Sequence, residues 1–438
     1  MRRSGKVGAD KHNHLLIGGC DAVTLAHEYG TPLLIYDEAA IRAKCRAYVK
    51  AFASRWRRVE ITYAAKAFLC GAMVRLIKEE ALGLDVASHG ELWLALQHGA
   101  EPERMTFHGN IKSRPALELA IERGISHIVV DSIPEIDDLE MVAQSRGRPV
   151  AVLVRLNLGV GLEGDPKYTT GTADSKFGLS VLDGAARAAI ARLRASESLH
   201  LRGVHFHLGS QIHRVTPHRW ALRRLGELLE TEALASNWRP DVVVTGGGMS
   251  AKYTDDDQPP SPDDWAAAIV DSFVQHVAWR CNPDVTLGIE PGRSIVAESG
   301  TTLYTVGVVK DVALEQGGYR RYVIVDGGLS DNPRPLAYGA KHNVVNASAA
   351  ESPPEDLVRI SGSHCEADTI IPEGMLAPVD RGSVIAVKCT GAYSHAMSSN
   401  FNYFLRPSVV LVSGGTARLI LRRETLHDLM LREPLLRA

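Results

Sequence analysis

Lys66 stands between alanines directly after the apolar run Val59–Ala64. An amine placed there is partly desolvated, which lowers its pKa and frees its lone pair for attack on a carbonyl. The alternative is a lysine that snorkels to solvent. Gly246-Gly247-Gly248 follows the apolar run Asp241–Thr245. Lacking side chains, such a turn lets backbone N–H groups reach an anion, and a following helix N-terminus adds a favourable dipole. Gly209-Ser210 offers another N–H and a hydroxyl. Neither stretch is a Walker loop, since no Gly-Lys-Ser/Thr follows, and neither is GxGxxG after a first strand. A phosphate is therefore indicated, and a nucleotide is not specifically so. Glu290 ends another apolar run, beside Pro291-Gly292-Arg293. A buried carboxylate there needs a cationic partner, either Arg293 or the protonated ring nitrogen of a cofactor. His207 can lay a flat ring on a flat ligand, or it is an ordinary core histidine.

An amine, a phosphate turn, an acid and a flat imidazole together describe a pyridoxal phosphate site. The lysine forms the Schiff base, and the acid keeps the ring nitrogen protonated so that the ring can take up an electron pair. The residues that must position this set read as an alternation. Strand-like runs are Val59–Ala64, Leu82–Ala87, Arg104–His108, His127–Asp131, Val150–Asn157, Leu199–His207, Asp241–Thr245 and Asp284–Glu290. Helical patterns at Gly71–Glu80, Glu91–His98, Arg114–Arg123, Glu135–Gln144, Asp183–Arg194, Pro217–Leu234 and Asp263–Trp279 separate them, with an earlier one at Glu38–Phe52. The count is that of an α/β fold of the (β/α)8, TIM-like kind, whose functional groups sit at the C-terminal strand ends. A doubly wound open sheet competes, because periodicity does not show closure. The strand ends carry Lys66, Asp85, His108-Gly109-Asn110, Asp131, Arg155 with Asn157, His205 to Gln211, the triple glycine, and Glu290 to Arg293.

Beyond about residue 298 the pattern changes to short strands: Thr301–Leu314, Tyr319–Gly328, Leu357–Ser363, Ser383–Gly391, Ser408–Gly414 and Thr416–Arg423. The chain thus divides into a barrel over 38–297 and a mostly β, sandwich- or barrel-like domain over 298–438. The first 37 residues join the second domain, with a strand expected inside Leu15–Tyr36. Asn346–Glu355 is small, polar and proline-bearing, and reads as a mobile loop. The 438 residues suit two or three domains at about 150 residues each. With 49 Lys plus Arg against 51 Asp plus Glu, there is no basic excess for nucleic acid or a membrane surface. No apolar run is long enough to span a bilayer, and Met1–His14 lacks a signal core, so a cytoplasmic location is expected. The six cysteines form no CxxC pair, and neither a disulfide framework nor a metal site is expected.

Ten stretches in order carry a resemblance that covers about Leu15 to Leu429. They are YAAKAF (63–68), GLDVASHGEL (83–92), FHGNIKS (107–113), DSKFG (174–178), HFHLGSQI (205–212), GGGMSAKYT (246–254), EPGRSIV (290–296), VDGGLSDNPRPLAYGA (325–340), CE (365–366) and GAYSHAMSSNFN (391–402). In these the chain resembles the diaminopimelate decarboxylases, within the alanine-racemase-like, fold-type III pyridoxal phosphate enzymes. The resemblance implies decarboxylation of meso-2,6-diaminopimelate to L-lysine, the last step of lysine biosynthesis. It implies that Lys66 bears the cofactor, that His207 stacks on its ring, and that Glu290 meets the ring nitrogen. Ser210, Gly246, Gly247 and Gly248 hold the phosphate, and Asp85, Gly292 and Arg293 belong to the same cofactor set. Arg293, Arg334 and Tyr338 grip substrate carboxylate, and Glu366 takes the distal ammonium. Tyr393 touches both phosphate and substrate, and Cys365 returns a proton after carbon dioxide leaves. The Cys365-Glu366 pair reaches the partner subunit's site, so a homodimer with shared active sites is implied. Related decarboxylases acting on ornithine, arginine, carboxynorspermidine or a carrier-tethered amino acid are the alternatives. The chain departs from the family pattern at Asn157-Leu158, in the variable loop Val160–Tyr168, and in His364 and Ala367-Asp368 around the Cys-Glu pair. Two readings of single residues stay open beside the resemblance. A free cysteine is most often a small buried hydrophobe, and Arg334 could pair with a local acid such as Asp331.

Overall fold

The computed structural model describes residues 8–162 and 166–434. The first seven residues and positions 163–165 of the Val160–Tyr168 loop lie outside the described residues. The chain forms two compact units. One comprises Arg42–Ser250 with Gln258–Ser294. The other comprises residues 8–41, Ala251–Asp257 and 295–434.

The first unit is a parallel barrel. Its strands are β1 (Val59–Ala64), β2 (Gly83–Val86), β3 (Met105–Phe107), β4 (His127–Val130), β5 (Val150–Asn157), β6 (Leu199–His205), β7 (Val242–Val244) and β8 (Thr286–Ile289). Each pairs with the next, and β8 pairs with β1, with Leu287 opposite Val59. That last pairing closes the ring and removes the open-sheet alternative. β6 shifts register between Leu201 and Gly203, where a Cβ on Gly203 would stand 1.8 Å from the Val242 carbonyl oxygen. Only glycine lets β6 and β7 approach there.

The helices begin where short polar side chains satisfy free N–H groups. Ser88 accepts from the Glu91 N–H, and Ser261 with Asp264 forms a reciprocal capping box. Gly124 and Gly147 end their helices in the left-handed conformation. Such caps locate each strand–loop–helix junction, and with it the residues at the strand ends.

The second unit is built on Gly300–Ala313, the longest strand. Its first half lies between Leu33–Asp37 and Val384–Lys388, and its second half pairs with Tyr319–Val325. Leu33–Asp37 supplies the strand expected from the N-terminal segment. Successive side chains of a strand face opposite ways. Leu303 accordingly enters one apolar cluster, with Ile35, Ala386 and Val410, and Tyr304 enters another, with Val323, Ile360 and Ile371.

Two features differ from expectation. Thr369–Leu376 is a strand whose pattern is broken by Pro372, Glu373 and Gly374; it pairs with Asp356–Ser361 through two register shifts. Asn346–Glu355 is not a free loop. Ala347 and Ala350 are buried in the apolar cluster, and Ala350 and Glu351 donate to Asn13 at 2.8 and 2.7 Å. No helix among the described residues is long and apolar enough to cross a membrane.

Candidate active site

At the C-terminal end of the barrel, Glu290 follows β8 and is buried. One carboxylate oxygen lies 2.9 Å from His205 Nε2 on β6, and the other lies 3.0 Å from His108 Nε2 after β3. His108 and His205 pack edge to face with ring centroids 4.7 Å apart. Asp85 on β2 lies 3.6 Å from His108 Nε2. Burial pushes Glu290 up, but the charges and hydrogen bonds of His205 and His108 outweigh it and hold the carboxyl well below its usual range. Asp85 goes the other way. Burial raises it to about 6, with the His108 charge opposing and the Glu290 charge adding. Two neighbouring carboxyls are thus driven apart, as required where they cannot both carry charge cheaply.

His207 follows β6 half-buried, and its Nδ1 accepts the Gly247 N–H at 3.3 Å. Burial, with the Lys66 and Arg155 charges, holds His207 well below its ordinary value, so its ring is neutral. Lys66 sits in the one-turn helix Ala65–Ala67 after β1. Ala65 and Ala67 are buried but Lys66 itself is exposed, so the desolvation expected of it stops at its neighbours. Gly292 packs against β1, where a Cβ would come 3.0 Å from that of Ala64. Arg293 is buried, and its Nε donates to Ser210 Oγ at 2.9 Å.

The glycine turn is a cradle that a side chain would fill. A Cβ at Gly246 would stand 2.7 Å from the Phe206 carbonyl oxygen, and one at Gly247 would stand 2.0 Å from that of Glu290. At Gly248 it would meet the Gly209 oxygen at 2.6 Å, which places the turn against the Ser210 loop. An anion cradle with a hydroxyl, an ionised buried acid and an exposed amine fit the phosphate, ring nitrogen and aldehyde of pyridoxal phosphate. Tyr168, Ser210, Gln211, Arg214 and Trp220 also line a cavity of about 480 Å³. The barrel therefore brings together Lys66, Asp85, His207, Ser210, Gly246–Gly248, Glu290, Gly292 and Arg293. His108 and His205, which clamp the acid, carried no assigned role in the sequence. The available signal was the spacing of His205 and His207, which puts both on one side of an extended chain.

The second unit holds Arg334, Tyr338, Cys365, Glu366 and Tyr393. Arg334 opens the short helix Arg334–Tyr338 and is 1% exposed. Its guanidinium carbon lies 4.5 Å from the centroid of the Tyr253 ring. Among the described residues it makes no ion pair, and its Nη1 has no hydrogen-bond partner. Asp331 does not neutralise it, because that carboxylate takes the Tyr304 hydroxyl at 2.5 Å and the Gly328 N–H at 2.7 Å. Burial, helped by the Arg334 charge, drives His342 down to about 3, so that ring is neutral as well. Tyr338 is half-buried, and so is Tyr393, whose φ is +65°. A non-glycine residue held there costs about 1–3 kcal/mol and marks a turn the surroundings enforce. Cys365 and Glu366 are exposed, whereas the other five cysteines are buried.

The class follows from the barrel: the pyridoxal-binding-domain model of the pyridoxal-dependent decarboxylases matches residues 38–297. Full-length relatives narrow it. The chain is 41% identical over 96% of its length to the diaminopimelate decarboxylase of Bacillus subtilis (strain 168), covering 95% of that protein. It is 42% identical to that of Mycobacterium tuberculosis (strain ATCC 25618 / H37Rv), again over 96% and 95%. The crystal structure of diaminopimelate decarboxylase from M. jannaschii in complex with L-lysine matches with a TM-score of 0.90 at 32% identity, covering 97% of each chain. The chain belongs to the diaminopimelate decarboxylase family of pyridoxal-dependent carboxy-lyases.

Proposed function

We propose that the chain removes carbon dioxide from meso-2,6-diaminopimelate and releases L-lysine. The observation that carries the substrate is Arg334, a buried guanidinium without a counter-ion among the described residues. A buried unpaired charge is costly, and a carboxylate is the group a guanidinium binds in two-pronged fashion. Diaminopimelate keeps a second carboxylate, with its ammonium, at the end that does not react. Ornithine and arginine end in a cation alone and would leave Arg334 unmatched.

In this reading Lys66 holds the cofactor, His207 backs its ring, and Ser210 with Gly246, Gly247 and Gly248 takes its phosphate. The bound cofactor supplies the sink for the electron pair left when the carbon–carboxylate bond breaks. Glu290 keeps a negative charge opposite the ring nitrogen, because two histidines stabilise its ionised form. Asp85, Gly292 and Arg293 complete this end, and Arg293, Tyr338 and Tyr393 orient the substrate. Arg334 binds the distal carboxylate and Glu366 the distal ammonium. Cys365 gives its Sγ proton to the carbon that lost carbon dioxide, and solvent restores it. Cys365 and Glu366 serve the site of the partner in a cytoplasmic homodimer.

Carbon dioxide release is to be compared for meso-diaminopimelate, its LL isomer, ornithine and arginine, with preference for the meso compound expected. Arg334→Ala should lower kcat/KM for meso-diaminopimelate by roughly 10²- to 10³-fold, the loss of a charge-assisted contact of about 3–4 kcal/mol. A substrate without the distal carboxylate should lose far less. Equal losses on both would remove Arg334 from recognition. For the shared site, inactive Lys66→Ala and Cys365→Ala chains are to be mixed. Random pairing should restore about a quarter of the sites at most. No recovery in demonstrated mixed dimers would put the whole site in one chain.

A further inference from the structure

The exposed tip Cys365-Glu366 stands on a loop with a buried brace. Its base is closed where the Gly362 N–H donates to the Asp368 carbonyl at 2.8 Å and the Ser363 N–H donates to that of Gly327 at 3.1 Å. Across the inside, His364 Nδ1 is hydrogen-bonded to the Asp368 carboxylate. A carboxylate only accepts, so the His364 proton is on Nδ1. Both residues are buried, at 7% and 6% exposure, on either side of three exposed residues. The slot is shaped for this pair. Asp368 also accepts the Leu329 N–H at 2.9 Å, and a Cβ on Gly328 or Gly362 would stand 2.2 or 2.1 Å from its carboxylate. The His364 ring packs 4.1 Å from that of Phe404. On the outer side, Asn402 Oδ1 accepts the Cys365 N–H at 3.0 Å, with Asn402 at φ +51°.

We propose that His364 and Asp368 are positioning residues that aim the Cys365 thiol at one face of the reacting carbon. The proposal rests on the proton-donor reading of Cys365 given above. An unbraced tip of three exposed residues would have to give up its backbone freedom before the thiol was in place. Misplacement of a reacting group by about 1 Å costs around 10²-fold in rate. The hydrogen bond across the loop removes that freedom in advance and leaves Sγ exposed to react.

The test is where the new hydrogen lands. Turnover of meso-diaminopimelate in D2O puts one deuterium on the carbon that lost carbon dioxide, and NMR distinguishes its two prochiral positions. The unsubstituted enzyme should label one position. His364→Asn puts an amide N–H where Nδ1 was, and should still label one position with kcat within a few-fold. His364→Gln places its N–H elsewhere and His364→Leu has none, so both should label both positions with kcat down about tenfold or more. If the leucine chain fails to fold, the contrast of Asn with Gln still decides. A purely structural brace would lower the amount of active enzyme while every product molecule kept its label in one position. Single-position labelling by Gln and Leu, with Cys365→Ala labelling both, overturns the proposal and leaves Cys365 as donor. Equal scrambling by Asn and Leu overturns it too, since the hydrogen bond would then not matter. Single-position labelling by Cys365→Ala instead removes the donor reading, and the positioning role with it.

Discussion

Glu290 in the barrel and Asp331 in the second unit are both buried carboxyls with two close polar partners each, yet their ionisation is shifted in opposite senses. Glu290 lies between His108 and His205, whose charges overcome the effect of burial and hold it well below its usual range. Asp331 has the Tyr304 hydroxyl and the Gly328 N–H, which carry no charge, and burial, with the Asp368 and Asp326 charges adding, raises it to about 7. The charged groups that face each carboxyl set the sense of its shift: the histidines lower Glu290, whereas Asp368 and Asp326 add to burial at Asp331. The consequence is a division of labour. Glu290 can face a protonated ring nitrogen with a full negative charge. Asp331 shapes the loop that leads to Arg334 without competing for that guanidinium.

The barrel half of the comparison is broken outright by Lys66→Ala. Without its amine the purified protein should lose the visible absorbance of bound cofactor, and carbon dioxide release should fall by roughly 10³-fold or more. An unchanged spectrum would mean that another group holds the cofactor. Glu290→Gln is the sharper probe, because it keeps the shape and removes only the charge. Release should drop roughly 10²- to 10³-fold while cofactor absorbance persists. Near-normal turnover would show that the histidine clamp serves structure and not the ring nitrogen. The smallest effect is expected at Asp331. A carboxyl raised from its ordinary 3.8 to about 7 binds more protons folded than unfolded between those values. Stability from this group is complete below about pH 4 and is lost as pH rises through 7. Asp331→Asn should flatten that decline, seen as a urea midpoint that falls less between pH 4 and pH 8, with activity at pH 6 little changed. A steeper decline in the variant would contradict the raised value.

The strands and helices of the barrel were legible because their periodicity is carried by adjacent residues. β1 and β5 span the residues read from the pattern, and the other barrel strands lie within the runs read for them. Thr369–Leu376 escaped because its pairing depends on bulges against a partner strand, and Pro372 and Gly374 hide the alternation. Asn346–Glu355 read as loose because its anchor, Asn13, is 338 positions from Glu351 in sequence.

What the sequence determined by itself was the kind of chemistry: an amine at 66, an acid at 290 and glycines at 246–248 follow apolar runs whatever the register. Tertiary structure alone decided how the acid at 290 ionises. Closure of the barrel puts His205 against Glu290 across 85 positions of chain, and Asp331 finds Tyr304 across 27 instead of Arg334 three residues away. The reason is physical. A residue's type and its local conformation are set by its neighbours in sequence, whereas burial and charged partners, which set ionisation, come from packing between distant segments.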